Sequence, residues 1–363
     1  MFERKHLKNL KGYVSGIQLT FNNDIIKLNS NENPYPPTSR ILDCLKDFNF
    51  EQLRFYPSAK SDSLRECISK IYDVEVENIF CGNGSDEIIS LIFKGFFEEN
   101  SSIILPYPTY TLYETIAKIQ NVNTICINTD EDFSIDIDKI LSTSKKATGV
   151  VIVNPNAPTG MLLSVEKIKF LLNQFKGLVI LDEAYIDFAD ENSSCLNLIK
   201  IYPNLIVLRT LSKSYSLCGI RLGYCFASKD IISVLDKIKD SYNIDTITQL
   251  IAEEGLKDRA YFNINLEKVK RTRTRLENEL VNLGFKVYGM NANFLLCKPE
   301  NGLEAKDIYD YLVDQNIFIR YFNQKRLADK LRISIGTEKE IDILLTHLNK
   351  LVSEREMPFE PNF

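Results

Sequence analysis

Between about residue 75 and residue 230, short apolar runs recur with polar, helix-patterned stretches between them. The runs are Ile79-Phe-Cys81, Ser102-Ile-Ile-Leu105, Thr124-Ile-Cys-Ile127, Gly149-Val-Val-Ile-Val153, Leu178-Val-Ile-Leu181 and Leu205-Ile-Val-Leu208. They are nearly continuous rather than alternating, the pattern of strands covered on both faces, as in a mostly parallel sheet. Ile88, Ile89, Leu91, Ile92 and Phe96, and again Ile168, Leu171 and Leu172, fall at the spacing of one helix face. This region predicts an α/β domain around a central sheet. From about 228 to 285 the pattern is long, helical and rich in Lys, Arg, Glu and Leu, carrying the chain out of that domain. Residues 286–352 then read strand, helix, strand, strand, helix, with Asn293-Phe-Leu-Leu-Cys297, Ile317-Phe-Ile-Arg320 and Leu331-Arg-Ile-Ser-Ile335 as the strands. A smaller C-terminal α+β domain follows from that order. Pro34, Pro36 and Pro37 mark residues 1–45 as an extended arm rather than a packed element. The expected division is an arm over 1–45 serving the small domain and a dimer, a large domain over 46–250, and a small domain over 251–363.

At 363 residues and 44% hydrophobic, the chain can bury a core of this size. Its net charge of −5, with acids and bases interspersed, points away from nucleic acid and anionic membranes. No apolar stretch approaches the roughly 20 residues of a membrane span, and the start, Met1-Phe-Glu-Arg-Lys-His6, has no apolar signal core. The eight cysteines occur singly, several inside apolar runs, so a reducing cytoplasm is expected. Two histidines, His6 and His347, are too few and too far apart for Ser-His-Asp catalysis or a His-rich zinc site. No metal site is expected, and acid–base work falls to lysine, tyrosine or carboxylates.

Lys213, in Arg209-Thr-Leu-Ser-Lys-Ser-Tyr-Ser216, follows a strand and ends it among small hydroxyl residues. A lysine held there can lose its proton and condense with an aldehyde. Gly82-Asn-Gly-Ser-Asp86 joins another strand to a helix, where close backbone approach and free amides suit a phosphate; a tight turn with Ser85 or Asp86 as helix cap is the ordinary alternative. The spacing fails Gly-x-Gly-x-x-Gly because Glu stands at 87, so no dinucleotide fingerprint is present. Asp182 and Tyr185, in Leu181-Asp-Glu-Ala-Tyr-Ile-Asp-Phe188, end a third strand. A carboxylate there can keep a ring nitrogen protonated, although a helix cap followed by a core tyrosine gives the same string. Asn154-Pro-Asn-Ala-Pro-Thr-Gly160 makes an irregular loop at the carboxyl edge of the sheet, where ligands sit in open α/β folds. Arg221 and Ser212 can neutralise and bond a phosphate. Arg320 and Arg332 lie in short apolar strands, where an arginine needs a partner: an anionic ligand or an internal acid.

With these pieces in this order, the chain resembles the fold type I pyridoxal-phosphate aminotransferases, and in detail the histidinol-phosphate aminotransferases. The matching stretches are Leu28-Asn-Ser-Asn-Glu-Asn-Pro34, Arg54-Phe-Tyr-Pro57, Gly82-Asn-Gly-Ser-Asp-Glu87 and Pro106-Tyr-Pro-Thr-Tyr110. They continue through 154–160, Asp182-Glu-Ala-Tyr185, Thr210-Leu-Ser-Lys213 to Arg221, Arg320-Tyr-Phe-Asn-Gln324 and Leu331-Arg-Ile-Ser-Ile-Gly-Thr337. The resemblance implies pyridoxal 5'-phosphate as cofactor, with Lys213 as its covalent anchor and, once freed, the base that moves a proton. It implies Asp182 on the pyridine nitrogen, Tyr185 and Asn156 near the ring hydroxyl, Tyr110 stacked on the ring, and Gly84, Ser85, Asp86, Ser212 and Arg221 around the phosphate. Tyr56 would reach the phosphate of a partner subunit, making a homodimer with shared sites. Tyr13, Arg320 and Arg332 would read the anionic end of the substrate. The implied reaction moves an amino group between L-histidinol phosphate and 2-oxoglutarate, in histidine biosynthesis. Aromatic aminotransferases and threonine-phosphate decarboxylases share most of these motifs and stand as alternative activities, with a non-catalytic binding or regulatory protein as a third. Two positions depart from the family. The loop usually has asparagine before its second proline, touching the ring hydroxyl; here that residue is Ala157, so the contact is absent, made by water, or taken over by Asn154 or Asn156. Gly12 stands before Tyr13 where proline is common.

Overall fold

A computed structural model describes residues 2–8, 10, 12–13, 17 and 25–356. The chain begins its regular structure with β1 (Ile26–Lys27), α1 (Arg40–Lys46) and α2 (Asp62–Tyr72). It continues through β2 (Ile79–Asn83), α3 (Gly84–Phe96), β3 (Ser102–Tyr107), α4 (Leu112–Ile119), β4 (Asn123–Asn128), α5 (Ile137–Thr143), β5 (Gly149–Val153) and α6 (Val165–Gln174). Next come β6 (Leu178–Asp182), β7 (Leu205–Thr210), β8 (Leu222–Phe226), α7 (Lys229–Ile238), α8 (Thr246–Lys257) and α9 (Arg259–Asn282). The chain closes with β9 (Phe285–Tyr288), β10 (Phe294–Pro299), α10 (Ala305–Asp314), β11 (Ile317–Phe318), β12 (Arg320–Tyr321), β13 (Leu331–Ser334) and α11 (Glu338–Glu356).

Seven strands form the large sheet in the order β2-β8-β7-β6-β5-β3-β4. Neighbours from β7 to β4 are parallel, while β8 runs antiparallel to both β7 and β2. The fold is therefore the expected α/β architecture with a mostly parallel sheet. The apolar runs are continuous because successive residues feed two buried faces. Val150, Ile152, Val179, Leu181, Leu205 and Val207 pack with α2, α6 and α8 on one side. Val151, Val153, Ile180, Ile206 and Leu208 pack with α3, α4 and α7 on the other.

Four sequence expectations are corrected. β4 is an edge strand, half-exposed along its length, so Thr124 to Ile127 are not covered on both faces. β8 is a strand absent from the pattern reading; the glycine and arginine around it give its segment the look of a loop. The stretch 317–320 is two short strands in two sheets, β11 pairing with β1 and β12 with β13. The 1–45 segment is packed from residue 25 onward: Leu28, Asn29 and Asn31 are buried, and α1 begins inside it. The long helical stretch from 228 to 285 divides into three helices. Asp245 caps α8 by accepting the Thr248 amide at 2.8 Å, and Asp258 caps α9 by accepting the Tyr261 amide at 3.1 Å.

Four antiparallel strands, ordered β12-β13-β10-β9, form the second sheet. Its core takes in Val269, Leu276 and Leu280 of α9, whereas Phe262 of the same helix packs with the large core. We therefore place the junction of the two bodies within α9.

A close approach between β8 and α3 fixes where that helix begins. A Cβ on Gly223 of β8 would lie 2.4 Å from the Ser85 amide nitrogen and 2.6 Å from the Gly84 carbonyl carbon. Only glycine lets the first turn of α3 sit against β8. Gly223→Val should cost about 1–3 kcal/mol of stability in urea titrations, as overpacking against backbone does; an unchanged midpoint would contradict the approach.

Candidate active site

All parallel strands of the large sheet end on one edge, and β8 starts there. That edge carries Ser85 and Asp86 after β2, Tyr110 after β3, Ala157 and Pro158 after β5, Asp182 and Tyr185 at the end of β6, Ser212 and Lys213 after β7, and Arg221 before β8. Together they form one wall of a cavity of about 880 Å³. Arg320, Phe322, Gln324 and Arg332 of the small body face them, and Tyr13 and residues 29–32 of the N-terminal segment complete the enclosure.

Asp182 is buried at the base of this wall. Its Oδ2 accepts the Tyr113 hydroxyl at 2.7 Å and its Oδ1 accepts the Ala184 amide at 3.0 Å. Burial pushes its carboxyl up to about 6, against the pull of those two donors. Lys213 Nζ lies 5.5 Å from the centre of the Tyr185 ring, with Ser30 O at 3.5 Å as its hydrogen-bond partner. Its backbone is held from the N-terminal segment, because Asn33 Nδ2 donates to the Lys213 and Ser214 carbonyls at 3.1 and 3.2 Å.

Beside them is a cradle for an anion. Gly84 opens α3, which has no side-chain cap, and a Cβ on it would lie 2.8 Å from Arg221 Nη2. The same guanidinium nitrogen is 3.2 Å from Asp86 Oδ2. The Thr210 and Ser212 hydroxyls lie 3.0 Å apart, with Leu222 O 3.2 Å from the former as a second acceptor, and Ser212 lines the cavity. Helix amides, a guanidinium and hydroxyls converging in this way suit a phosphate.

Opposite, Arg320 and Arg332 are direct cross-strand partners in antiparallel register. Among the described residues neither has a carboxylate within ion-pair distance. Like charges placed directly opposite destabilise a sheet. Arg332 Nη2 donates to Asn29 O at 2.8 Å, while its Nε is buried with no partner among the described residues. Burial, with Arg320 adding, brings the Arg332 guanidinium down to about 10. An oxyanion between the pair would answer both the charge and the orphan donor.

The cavity thus gathers Lys213, Asp182, Tyr185, Ser85, Asp86, Tyr110, Ser212, Arg221, Tyr13, Arg320 and Arg332, with Gly84 directly behind the Arg221 guanidinium. Tyr13 meets Tyr110 edge-on at 5.7 Å. Two expected residues lie elsewhere. Asn156 is buried in its own loop, donating to Pro108 O and Thr159 Oγ1 at 3.0 and 2.9 Å and accepting Thr109 Oγ1 at 2.8 Å. Tyr56 is 80% exposed on the outer surface, stacked on Tyr242 at 4.4 Å. Ala157 does line the cavity, but Asn154 cannot replace its missing amide: both of its polar atoms bond the Leu163 backbone, at 2.7 and 3.0 Å. Pattern and motif give no role to Asn31, Asn33, Tyr113, Thr210 or Gln324. The first two sit in the stretch from Leu28 to Pro34, and that motif is their only signal.

A lysine, a buried carboxylate and a group of donors suited to an anion lie together on the carboxyl edge of this fold, and comparison with known proteins gives the class. The family model for class I and II aminotransferases matches residues 23–348, and the chain belongs to that enzyme family. Its relatives narrow the likeness. Histidinol-phosphate aminotransferase from Clostridium botulinum (strain Okra / Type B1) is 41% identical over 351 residues, 96% of this chain and 97% of that protein. The crystal structure of the histidinol-phosphate aminotransferase from Clostridium acetobutylicum superposes with a TM-score of 0.85 at 31% identity, over 91% of this chain and all of that one. The Sinorhizobium meliloti enzyme of the same name, in complex with pyridoxal-5'-phosphate, shares the fold with a TM-score of 0.84 at 22% identity, over 91% of each chain.

The buried Asp182 has a consequence for pH. Its folded value is raised, so the folded state binds the proton more tightly than the unfolded chain does, and stability falls as pH rises from about 4 to about 6. In protein dialysed free of small molecules, the Asp182→Asn variant escapes this loss. Its stability relative to the parent should rise by roughly 2–3 kcal/mol across that window in urea titrations. A difference constant with pH would refute the assignment.

Proposed function

We propose that this protein is a pyridoxal-phosphate-dependent transaminase acting between L-histidinol phosphate and 2-oxoglutarate. The observation that carries the substrate is the pair Arg320 and Arg332, direct partners in antiparallel register, neither with a carboxylate in ion-pair distance among the described residues. The residues fit the cofactor. The Asp182 carboxyl, held near 6 by burial, suits a cationic ring nitrogen, which would return it to the ionised state. The cradle of Gly84, Ser85, Asp86, Ser212 and Arg221 suits a phosphate, and Lys213 suits an aldehyde.

Pyridoxal phosphate, when bound, supplies an aldehyde that captures amines and a ring that takes up the electron pair left by a departing carbon-bound proton. Lys213 would hold it through Nζ and, once its ε-amine is free, would move a proton from the amine-bearing carbon of the substrate to the cofactor. Asp182 would hold a proton on the ring nitrogen, Tyr185 would offer its hydroxyl to the ring oxygen, and Tyr110 would cover the ring. Arg320 and Arg332 grip the phosphate of histidinol phosphate in one half of the cycle and the α-carboxylate of glutamate in the other, since a guanidinium matches either anion with paired hydrogen bonds.

The protein acts as a homodimer in this reading. Leu42, Phe50, Leu53, Phe55, Tyr56 and Tyr242 are exposed large side chains, and the chain neighbours Asp43, Asn49, Gln52 and Pro57 line a hollow of about 800 Å³. A second copy packed over this stretch would hide them and carry Tyr56 toward the cofactor phosphate of its neighbour. A cytoplasmic setting is consistent with eight unpaired cysteines, and no helix of the described residues is long and apolar enough to cross a membrane.

Protein loaded with pyridoxal phosphate should show a visible absorption that borohydride bleaches and that histidinol phosphate shifts in a single turnover. Lys213→Ala should lose both; retention of either sinks the mechanism. Arg332→Ala should raise KM for histidinol phosphate and for glutamate alike, by roughly 10- to 100-fold each, as expected for a lost charge-assisted hydrogen bond. An effect on one substrate alone would mean the two anions bind at different places.

A further inference from the structure

The Tyr185 hydroxyl has one hydrogen-bond partner among the described residues. Asn31 Nδ2 donates to it at 3.0 Å, in a buried position. The orientation of that amide is set at its other end. The Asn31 backbone amide donates to Ser334 Oγ at 2.9 Å, so the serine hydroxyl accepts there and sends its own proton to Asn31 Oδ1, 3.1 Å away. Asn31 O in turn accepts Asn293 Nδ2 at 2.9 Å. With Oδ1 engaged, Nδ2 must be the atom that faces Tyr185. An amide nitrogen has only protons to give, so the Tyr185 oxygen accepts, and the phenolic proton has to point elsewhere. Tyr185 lines the cavity beside Lys213 and Asp182. The side chain that would share its task is missing, because Ala157 has no donor and the amides of Asn154 and Asn156 are engaged by Leu163, Pro108 and Thr159.

We infer that Asn31 is a positioning residue that turns the Tyr185 proton into the cavity, making that phenol the donor to the cofactor's ring oxygen in the place of the asparagine this chain lacks. The inference rests on the proposed cofactor. Its electronic consequence is direct. A donor on the ring oxygen draws off negative charge, and the nearby nitrogen that joins Lys213 to the cofactor becomes less basic. Remove the donor and that nitrogen holds its proton to higher pH.

The readout is the absorbance of the loaded protein titrated against pH, in variants whose melting temperature is checked first. Asn31 sits at φ +57°, a conformation glycine adopts freely, so Asn31→Gly deletes the amide without straining the backbone. Its spectral midpoint should rise by several tenths of a pH unit to one, up to a tenfold gain in proton affinity. Tyr185→Phe should move it the same way, and Asn31→Gly placed on Tyr185→Phe should add nothing. Ala157→Asn, which restores a donor, should lower it. A midpoint unmoved by Asn31→Gly in protein that melts normally would overturn the inference. So would a full shift that persists without the Tyr185 hydroxyl. Parent protein with no absorbance to titrate would instead defeat the cofactor assignment itself.

Discussion

The cavity is organised by charge that the protein buries without balancing. The contrast with a neighbouring cluster makes this plain. Arg209, on β7, is buried against Glu183 at 2.9 Å and Asp187 at 3.0 Å, and those carboxylates hold it firmly protonated. Glu183 spends its remaining capacity on Ser194 and the Cys195 amide. That network pairs its cation directly with acids, and it fastens the end of β6 to the end of β7. One residue away Asp182 is buried with hydroxyl and amide donors, and across the cavity Arg332 and Arg320 face each other, none of the three with an ion-pair partner among the described residues. Desolvating unpaired charge is costly. The scaffold sustains it because the strands beneath are braced by the paired cluster. A ligand with a cationic ring and two anionic ends is what would complete both sets.

The sequence displays the parts of this arrangement that come from pattern. Six strands of the large sheet show as apolar runs, five of them because both faces are covered, and the helices between them show as periodic stripes. Strand ends are legible too, which is why Lys213, Asp182 and Ser85 can be placed on one edge from the string alone. What escapes depends on tertiary partners. β8 carries glycine and starts after an arginine, and only the packing of Gly223 against α3 explains that glycine. Segment 25–45 looks unpacked because its prolines bar regular structure, yet Asn31 is bonded by Ser334, some three hundred positions away. Asn156 looks like a ligand because it sits in the right loop; its hydrogen bonds to Pro108, Thr109 and Thr159 are invisible in the string.

Division of labour between the two bodies comes from this layout. Groups expected to face the cofactor come from the large sheet, and groups expected to face the substrate's anionic end come from β12 and β13. The N-terminal segment touches both, bonding Ser334 and Asn293 on one side and Tyr185 and the Lys213 carbonyl on the other. The loop after β12 is also tied across. Arg326 donates to the Tyr107 and Thr129 carbonyls at 3.2 and 2.8 Å, steadying the turn that brings Gln324 to the cavity.

The loop after β5 meets the small body in an unusual way. A Cβ on Gly160 would fall 2.3 Å from Gly289 O, and one on Gly289 would fall 2.2 Å from the Gly160 carbonyl carbon. Main chain therefore rests on main chain there, with no side chain to act as a cushion. Neither glycine can be exchanged, and because each added Cβ would strike the other's main chain, changing both would sum the two clashes rather than relieve them.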